Sequence, residues 1–385
     1  MHVAFLPKWY PGGTDPQLGV FIRKQALALA ELARVSVVVV RSRKDQTEAF
    51  AVELQEQDGV WEVHASYRPS NAGLPVLRRG VNALRYRKAV DQAWRLMVEE
   101  RGTPDTLHAH VLVRAVWAAY RIHRRLGIPY VVSEHSSAFL DDTFDRRPAP
   151  VKWVARWVMR RAARCLVVSP HLGDALVRRG LCGAYTVVPN VLPMNDLPLR
   201  PRGPSDRFLM VADLVDRIKN ISGVLRALRI TSDKGVTLQL DVVGGGPDRE
   251  MLMALAERLG LNAQVTFHGR KDNAEVLALM ADTGTVVVNS TMETFSVVTG
   301  EALCAGKPVI ATRCGGPEAF VHAGNGMLVD VGDDEGLADA MVHMHREHER
   351  YDPTAIRQGV AEGFSATAIG RQLHRIHSEV LAHGA

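Results

Sequence analysis

Short apolar runs recur along this chain, and each leads through a loop into a helical pattern. Residues 2–6, 35–40, 106–111, 130–133, 165–168 and 186–188 form one series, and residues 208–212, 237–243, 265–268, 285–288, 308–312 and 327–329 form a second. The run 35–40 is apolar almost throughout, as a strand covered on both faces of a parallel sheet must be. Helical patterns fill the gaps, among them 19–33, 77–100, 114–126, 248–259 and 335–345. Residues 46–75 alternate polar and apolar and predict one or two further strands. The alternation lapses once, at 191–206, where four prolines sit in a stretch with little apolar pattern. That stretch is the expected interdomain linker. Strand–helix alternation on both sides of it predicts an α/β protein of two Rossmann-like, doubly wound parallel-sheet domains facing across a cleft. The expected domains are residues 1–190 and 207–365, with a last helix, 366–385, packing back on the first.

A chain of 385 residues is long enough for two such domains. Its 46% hydrophobic and 23% charged residues are those of a soluble globular protein. No apolar run reaches about 18 residues, so no membrane-spanning helix is expected. The first residues read as a strand rather than a signal peptide, which predicts a cytoplasmic protein. Cys165, Cys182, Cys304 and Cys314 lack metal-ligand spacing and are expected to be reduced thiols. The net charge of +5 permits acidic partners, anionic lipid headgroups among them. Nothing in the sequence calls for nucleic acid.

The most informative stretch is 289–303. An apolar strand, 285–288, runs into a polar loop, and a helix opens near Ser296. Unpaired backbone N–H groups at a helix start favour an anion such as phosphate. Glu293 and Glu301 bracket this start, about 12 Å apart by helix rise. That is too far for two acids sharing one scissile bond. It suits two acids gripping the ends of an elongated ligand. A carboxylate can hold a vicinal diol, and a diol at each end with phosphate between them describes a nucleotide sugar. A plain strand–loop–helix corner with two surface acids has the same spacing.

Other residues stand at strand ends, where α/β sites gather. Trp9 and Tyr10 follow the first strand, as ligand contacts or as loop packing. His135 lies just past strand 130–133; His108 and His110 lie in strand 106–111 and are read as structural. Residues 146–164 hold seven basic residues and no acid, beside a stripe of Trp153, Val154, Trp157 and Val158. Such a helix can rest on an anionic membrane or pack its tryptophans inward. Gly244–Gly245–Gly246 brings a nicotinamide oxidoreductase to mind, but Pro247 and the lack of a third glycine at the proper spacing argue against it.

Taken in order, these segments resemble glycosyltransferase family 4, retaining sugar transferases of the GT-B fold. The resemblance rests on Glu293-x7-Glu301 with Phe295, the Pro308–Val309 strand and Gly315–Gly316. Agreeing with these are Gly19, Glu134–His135, Val188–Pro189–Asn190, Lys219–Asn220, Gly244-x-Gly246–Pro247 and Phe267-x-Gly269. It implies that Glu301 holds the ribose hydroxyls and Glu293 the hydroxyls of the transferred sugar. Backbone N–H groups of Phe295, Ser296, Val297, Val298 and Thr299 would meet sugar and diphosphate. Lys219 would neutralise the leaving diphosphate, Gly19 would let the first domain's backbone approach it, and His135 would sit over the sugar near the acceptor. Glu293, Lys219 and His135 are the implied catalytic group.

The sequence departs from the family in two places. Ser296 stands where the family has glycine, and Asp213 stands where it has an arginine six residues before the lysine; Arg217 is the nearest substitute. The implied reaction moves a hexose or N-acetylhexosamine from a UDP- or GDP-sugar to a hydroxyl acceptor, without metal or other cofactor. The basic helices suggest a lipid-linked saccharide at the inner membrane face and a place in cell-surface polysaccharide synthesis. The alternatives are a nucleotide-sugar epimerase of the same fold and a nucleotide-sugar-binding protein that has lost catalysis.

Overall fold

The computed structural model describes residues 1–12, 15–194, 199 and 202–383. The chain divides into two compact units, Met1–Val191 with Ala366–Ala385, and Leu192–Ser365.

Unit 1 is built in chain order from β1 (His2–Pro7), α1 (Val20–Ala30), β2 (Arg34–Ser42), β3 (Phe50–Gln57), β4 (Val60–Tyr67), α2 (Pro75–Arg101), β5 (Thr106–His110), α3 (Arg114–Leu126), β6 (Tyr130–Glu134), α4 (Ala149–Met159), β7 (Arg164–Val167), α5 (Pro170–Arg178) and β8 (Thr186–Val187). The sheet order is β3-β4-β2-β1-β5-β6-β7-β8. Every pairing is parallel except β3 with β4, an antiparallel hairpin on the sheet's edge. Its turn is Asp58–Gly59, both at positive φ, the backbone that the twist of a two-residue hairpin requires. Strands β1 and β5 are buried along their whole length, as their apolar runs demand.

Unit 2 follows with β9 (Arg207–Val211), α6 (Asp216–Lys219), α7 (Ile221–Asp233), β10 (Gln239–Val243), α8 (Arg249–Arg258), β11 (Val265–Gly269), α9 (Asn273–Asp282), β12 (Thr285–Val288), α10 (Val297–Cys304), β13 (Val309–Thr312), β14 (Gly326–Val329), α11 (Asp334–Arg346) and α12 (Pro353–Phe364). Its six strands run β11-β10-β9-β12-β13-β14, all parallel. Phe208, Leu225, Val242, Val286, Ile310 and Met341 are among its buried core.

The final helix, α13 (Ala366–His383), belongs to unit 1. Ile369, Leu373, Ile376 and Val380 join Phe5, Ile22, Leu29 and Val37 in one core cluster. A Cβ on Gly370 would meet the Ala28 carbonyl oxygen at 2.2 Å, so glycine lets α13 and α1 approach closely. Residues 195–198, 200 and 201 of the expected 191–206 linker lie outside the described residues. Val191 belongs to the unit 1 core, and from Leu192 the described part of that stretch packs on unit 2: Leu192 N–H donates to the Phe364 carbonyl, and Arg202 Nε to that of Tyr351. Among the described residues no helix is long and apolar enough to cross a membrane.

In each sheet the chain order reverses beside the first strand, between β1 and β5 in unit 1 and between β9 and β12 in unit 2. Ligand crevices in such sheets form at these reversals, beyond the strands' carboxyl ends.

Candidate functional site

In unit 2 the loop after β12 is stitched to α6, the short helix after β9. Asn289 Nδ2 donates to the Asn220 carbonyl (3.0 Å), and Thr291 N–H to that of Ile218 (2.7 Å). Asp216, at the start of α6, accepts from the backbone N–H and hydroxyl of Ser222. These bonds bring two residues 74 positions apart into contact. Lys219 Nζ lies 2.5 Å from Glu293 Oε1, which also accepts from the Ser290 hydroxyl at 2.8 Å. The lysine and glutamate side chains keep 25% and 16% of their exposure, so the pair is partly desolvated yet open to a ligand.

The backbone of Glu293 is fixed as well. Its N–H donates to the Cys314 carbonyl, and its carbonyl accepts from Gly316 N–H, both at 3.0 Å. A Cβ on Gly316 would stand 2.6 Å from the Phe295 backbone, which explains the second glycine of Gly315–Gly316. The Phe295 ring is buried against Phe320 and Phe364, so only its backbone faces the site. Helix α10 begins at Val297, one residue later than the sequence suggests. Ser296 precedes it at φ +68°, with its hydroxyl 2.7 Å from that of Thr299. The αL backbone at this position gives a physical reason for the family's glycine. Val297 is exposed, Val298 half-buried and Thr299 buried, and the first-turn N–H groups of α10 have no partner within the helix. Glu301 is half-buried on the same helix.

Arg217 is exposed on α6, two residues from Lys219. The position of Arg270 is informative. It follows β11 and lays its aliphatic stem over Gly245, and its guanidinium lies 4.0 Å from the Asp213 carboxylate. An arginine from another strand end thus reaches the place where the family's arginine is missing. Only the fold could reveal this, since 57 residues separate the two positions. The three glycines 244–246 serve packing: a Cβ on Gly244 or Gly246 would strike the carbonyl oxygens of Ala212 or Leu214.

In unit 1 His135 follows β6. Its ring stands 4.7 Å from that of Phe21, and its Nε2 is 3.3 Å from His110 Nδ1. Burial pushes its pKa down to about 3, so it is a neutral imidazole at ordinary pH. Its Nδ1 and His110 Nε2 are buried without a partner among the described residues. His110 stacks on His108, whose Nδ1 is 3.3 Å from His377 Nε2 on α13. Burial lowers all of these imidazoles. Glu134 is fully buried; its carboxylate accepts from the N–H groups of Leu112, His135 and Ser136 and braces that corner. Gly19 caps α1 at φ +73°, and a Cβ there would meet the Trp9 backbone at 2.5 Å, a reason for glycine internal to unit 1. Tyr10 is a core residue rather than a ligand contact, its hydroxyl donating to Glu62 at 2.6 Å.

The stripe of cations expected over 146–164 is largely engaged in the fold. Arg156 and Arg160 donate to the Arg179 and Gly180 carbonyls, and Lys152 to that of Asp145. Among the described residues no group of three or more His, Cys, Asp or Glu is placed to hold a metal ion.

Comparison with known proteins agrees with this arrangement. The family model for glycosyl transferases group 1 matches residues 199–353, and that for the glycosyl transferase 4-like domain matches 18–191. N-acetyl-alpha-D-glucosaminyl L-malate synthase of Bacillus anthracis is 32% identical over 181 residues, 46% of each chain. The lipopolysaccharide core biosynthesis glycosyltransferase LpsD of Rhizobium meliloti is 36% identical over 167 residues, 43% of this chain and 45% of its own. The matched stretch spans about half the length of these two relatives. The HepE protein of Anabaena, solved in complex with UDP, superposes with a TM-score of 0.70 at 19% identity, over 98% of this chain and 100% of that one. Its two-domain α/β fold is the GT-B type seen here. The two family models together cover most of the chain, and the protein belongs to the glycosyl transferases group 1 family.

Proposed function

We propose that this protein is a retaining glycosyltransferase that moves a hexose or N-acetylhexosamine from a nucleotide-diphosphate sugar to an acceptor hydroxyl. The observation that carries the reading is the Lys219–Glu293 pair, standing at the strand-order reversal of unit 2 beside the start of α10. A diphosphate entering there would compete for the lysine and release Glu293 to accept from sugar hydroxyls. Arg217, Arg270 and the first N–H groups of α10 would add positive charge and donors, and Glu301 would hold the ribose. As the bond from the anomeric carbon to the diphosphate breaks, charge grows on the leaving oxygen, and fixed cations stabilise it. The acceptor oxygen forms the new bond, and its proton passes to the departing phosphate. His135 and Gly19 would serve this reaction from unit 1.

HepE, solved with UDP, supports a UDP-sugar as donor, and LpsD supports a role in surface saccharide assembly. A lipid-linked acceptor, and contact with a membrane's inner face, are the finer parts of this proposal. The test is a thermal-shift series with UDP, GDP, ADP and dTDP on wild type and Glu301→Ala. One nucleotide should raise Tm in the wild type and lose that effect in the variant. No shift with any of them would overturn the donor reading.

A further inference from the structure

Unit 1 contains a cavity of about 600 Å³ at its strand-order reversal, beyond the ends of β1 and β5. Four cations line it: Lys8, Arg41, Arg114 and Arg147. Arg41 is held by the carbonyls of Tyr10 and Pro11. The other three have no carboxylate within ion-pair distance among the described residues. Arg114 reaches only the Tyr67 hydroxyl, at 3.3 Å, and the face of Tyr86; Lys8 lies over the Trp9 ring. Asp15, the one acid in the lining, accepts from the Gln17 and Leu18 N–H groups of its own turn. Burial lowers the Lys8 pKa; the Glu134 carboxylate opposes this, and Arg147 and Arg114 lower it further, so the cations feel one another. Cations gathered in a cavity in excess over its nearby carboxylates create a field that an anion would relieve.

A second cavity, of about 700 Å³, adjoins the first, and Tyr86, Val113 and Arg114 line both. Its walls are apolar: Leu77, Val81 and Leu84 of α2 face Trp117 of α3. Leu74, Val76, Leu77 and Leu84 are 56% to 81% exposed, a concentration of apolar surface unusual for a soluble helix. Arginines rim it. Asp91 is the shared partner of Arg87, Arg121 and Arg125, leaving an excess of positive charge.

We infer that these two cavities are one binding site for an anionic amphiphile, its phosphate at Lys8, Arg114 and Arg147 and its hydrocarbon chain along the α2–α3 groove. Resting on the glycosyl-transfer reading, this names the acceptor class as a lipid phosphate or lipid-linked phosphosugar. Charge complementarity selects the head, the groove selects the tail, and the shared Arg114 joins them. The exposed leucines of α2 thereby gain an occupant that a free saccharide acceptor would not supply.

The test titrates the full-length chain with octyl phosphate below its micelle concentration, against inorganic phosphate, 1-octanol and octyl glucoside. Octyl phosphate should bind at least 10-fold more tightly than any of the three. Arg114→Gln with Arg147→Gln should weaken it about 10-fold or more. Leu77→Ser with Leu84→Ser should weaken octyl phosphate but leave inorganic phosphate unchanged. Equal affinity for inorganic phosphate would overturn the groove, and equal affinity for 1-octanol would overturn the cationic cavity. Octyl phosphate binding that neither pair of substitutions alters would overturn the location. Binding to phosphatidylglycerol vesicles without octyl phosphate binding would make the face a bilayer-docking surface and sink the inference. UDP binding, measured in parallel, reports on the donor site, whose residues neither pair of substitutions touches. Its absence beside intact octyl phosphate binding would fault the transferase reading and not this site.

Discussion

Lys219 and Glu293, 74 residues apart in sequence, hold each other at 2.5 Å, so each is occupied by the other before a substrate arrives. A partly exposed ion pair of this kind contributes little to stability, about 1 kcal/mol or less. Its charges are therefore available for exchange. Lys219→Ala should lower kcat by about 100-fold or more, as expected for losing one charge contact to the leaving group. Its unfolding midpoint should stay near that of wild type. A variant with near-normal turnover would remove Lys219 from the mechanism.

Arg270 and Asp213 make a second test. If Arg270 supplies the cation that the Asp213 position lacks, Arg270→Ala should raise the Kd for nucleoside diphosphate about 10-fold, the scale of one charge-assisted hydrogen bond. Asp213→Asn should tighten binding, since it removes a negative charge near the phosphates. Isothermal titration of both variants decides this, and unchanged affinities would leave Arg270 outside the site.

Ser296 pays for a left-handed backbone with its hydroxyl contact to Thr299. Ser296→Gly should relieve the strain and lose the contact, two effects of about 1 kcal/mol each and opposite in sign. Its unfolding free energy should lie within about 1 kcal/mol of wild type. Ser296→Val should cost about 2 kcal/mol or more, because a β-branched residue fits this backbone poorly. Urea unfolding of both variants checks the pair of expectations.

The buried imidazoles predict sensitivity to acid. His135 and His377 protonate in the fold only at about pH 3, and His108 and His110 are also lowered well below the usual histidine value. In the unfolded chain all four accept protons below about pH 6.5. The unfolded state thus binds more protons between pH 6.5 and 3, and stability falls as pH falls through that window. Each imidazole contributes a slope approaching about 1.4 kcal/mol per pH unit. Glu134, raised by burial, opposes this trend, but as one group against four. The urea midpoint should fall steeply from pH 7 to 5, and His377→Gln should flatten the curve. A flat profile in the wild type would overturn the account.

Much of this was legible in the sequence. Strands 285–288 and helix 114–126 appear with the bounds their apolar patterns suggest, because burial on both faces leaves a strong composition signal. Within 46–75, where one or two strands are expected, the structure places the β3–β4 hairpin about Asp58–Gly59. What could not be read are encounters between distant segments, such as Lys219 with Glu293 or Arg270 with Asp213. The basic stripe of 146–164 shows the same limit: charge in a sequence does not reveal that Arg156 and Arg160 are turned onto the Arg179 and Gly180 carbonyls.

Helix α13 has a consequence for the order in which the molecule can be made. Unit 2 is continuous, from Leu192 to Ser365, and its residues are all present once Ser365 has left the ribosome. Unit 1 begins first but lacks Ile369, Leu373, Ile376 and His377 until α13 emerges. The face of α1 that α13 covers must wait throughout synthesis of unit 2. The half of the protein translated first is thus the half that closes last, against the usual sequence of domains folding as they appear.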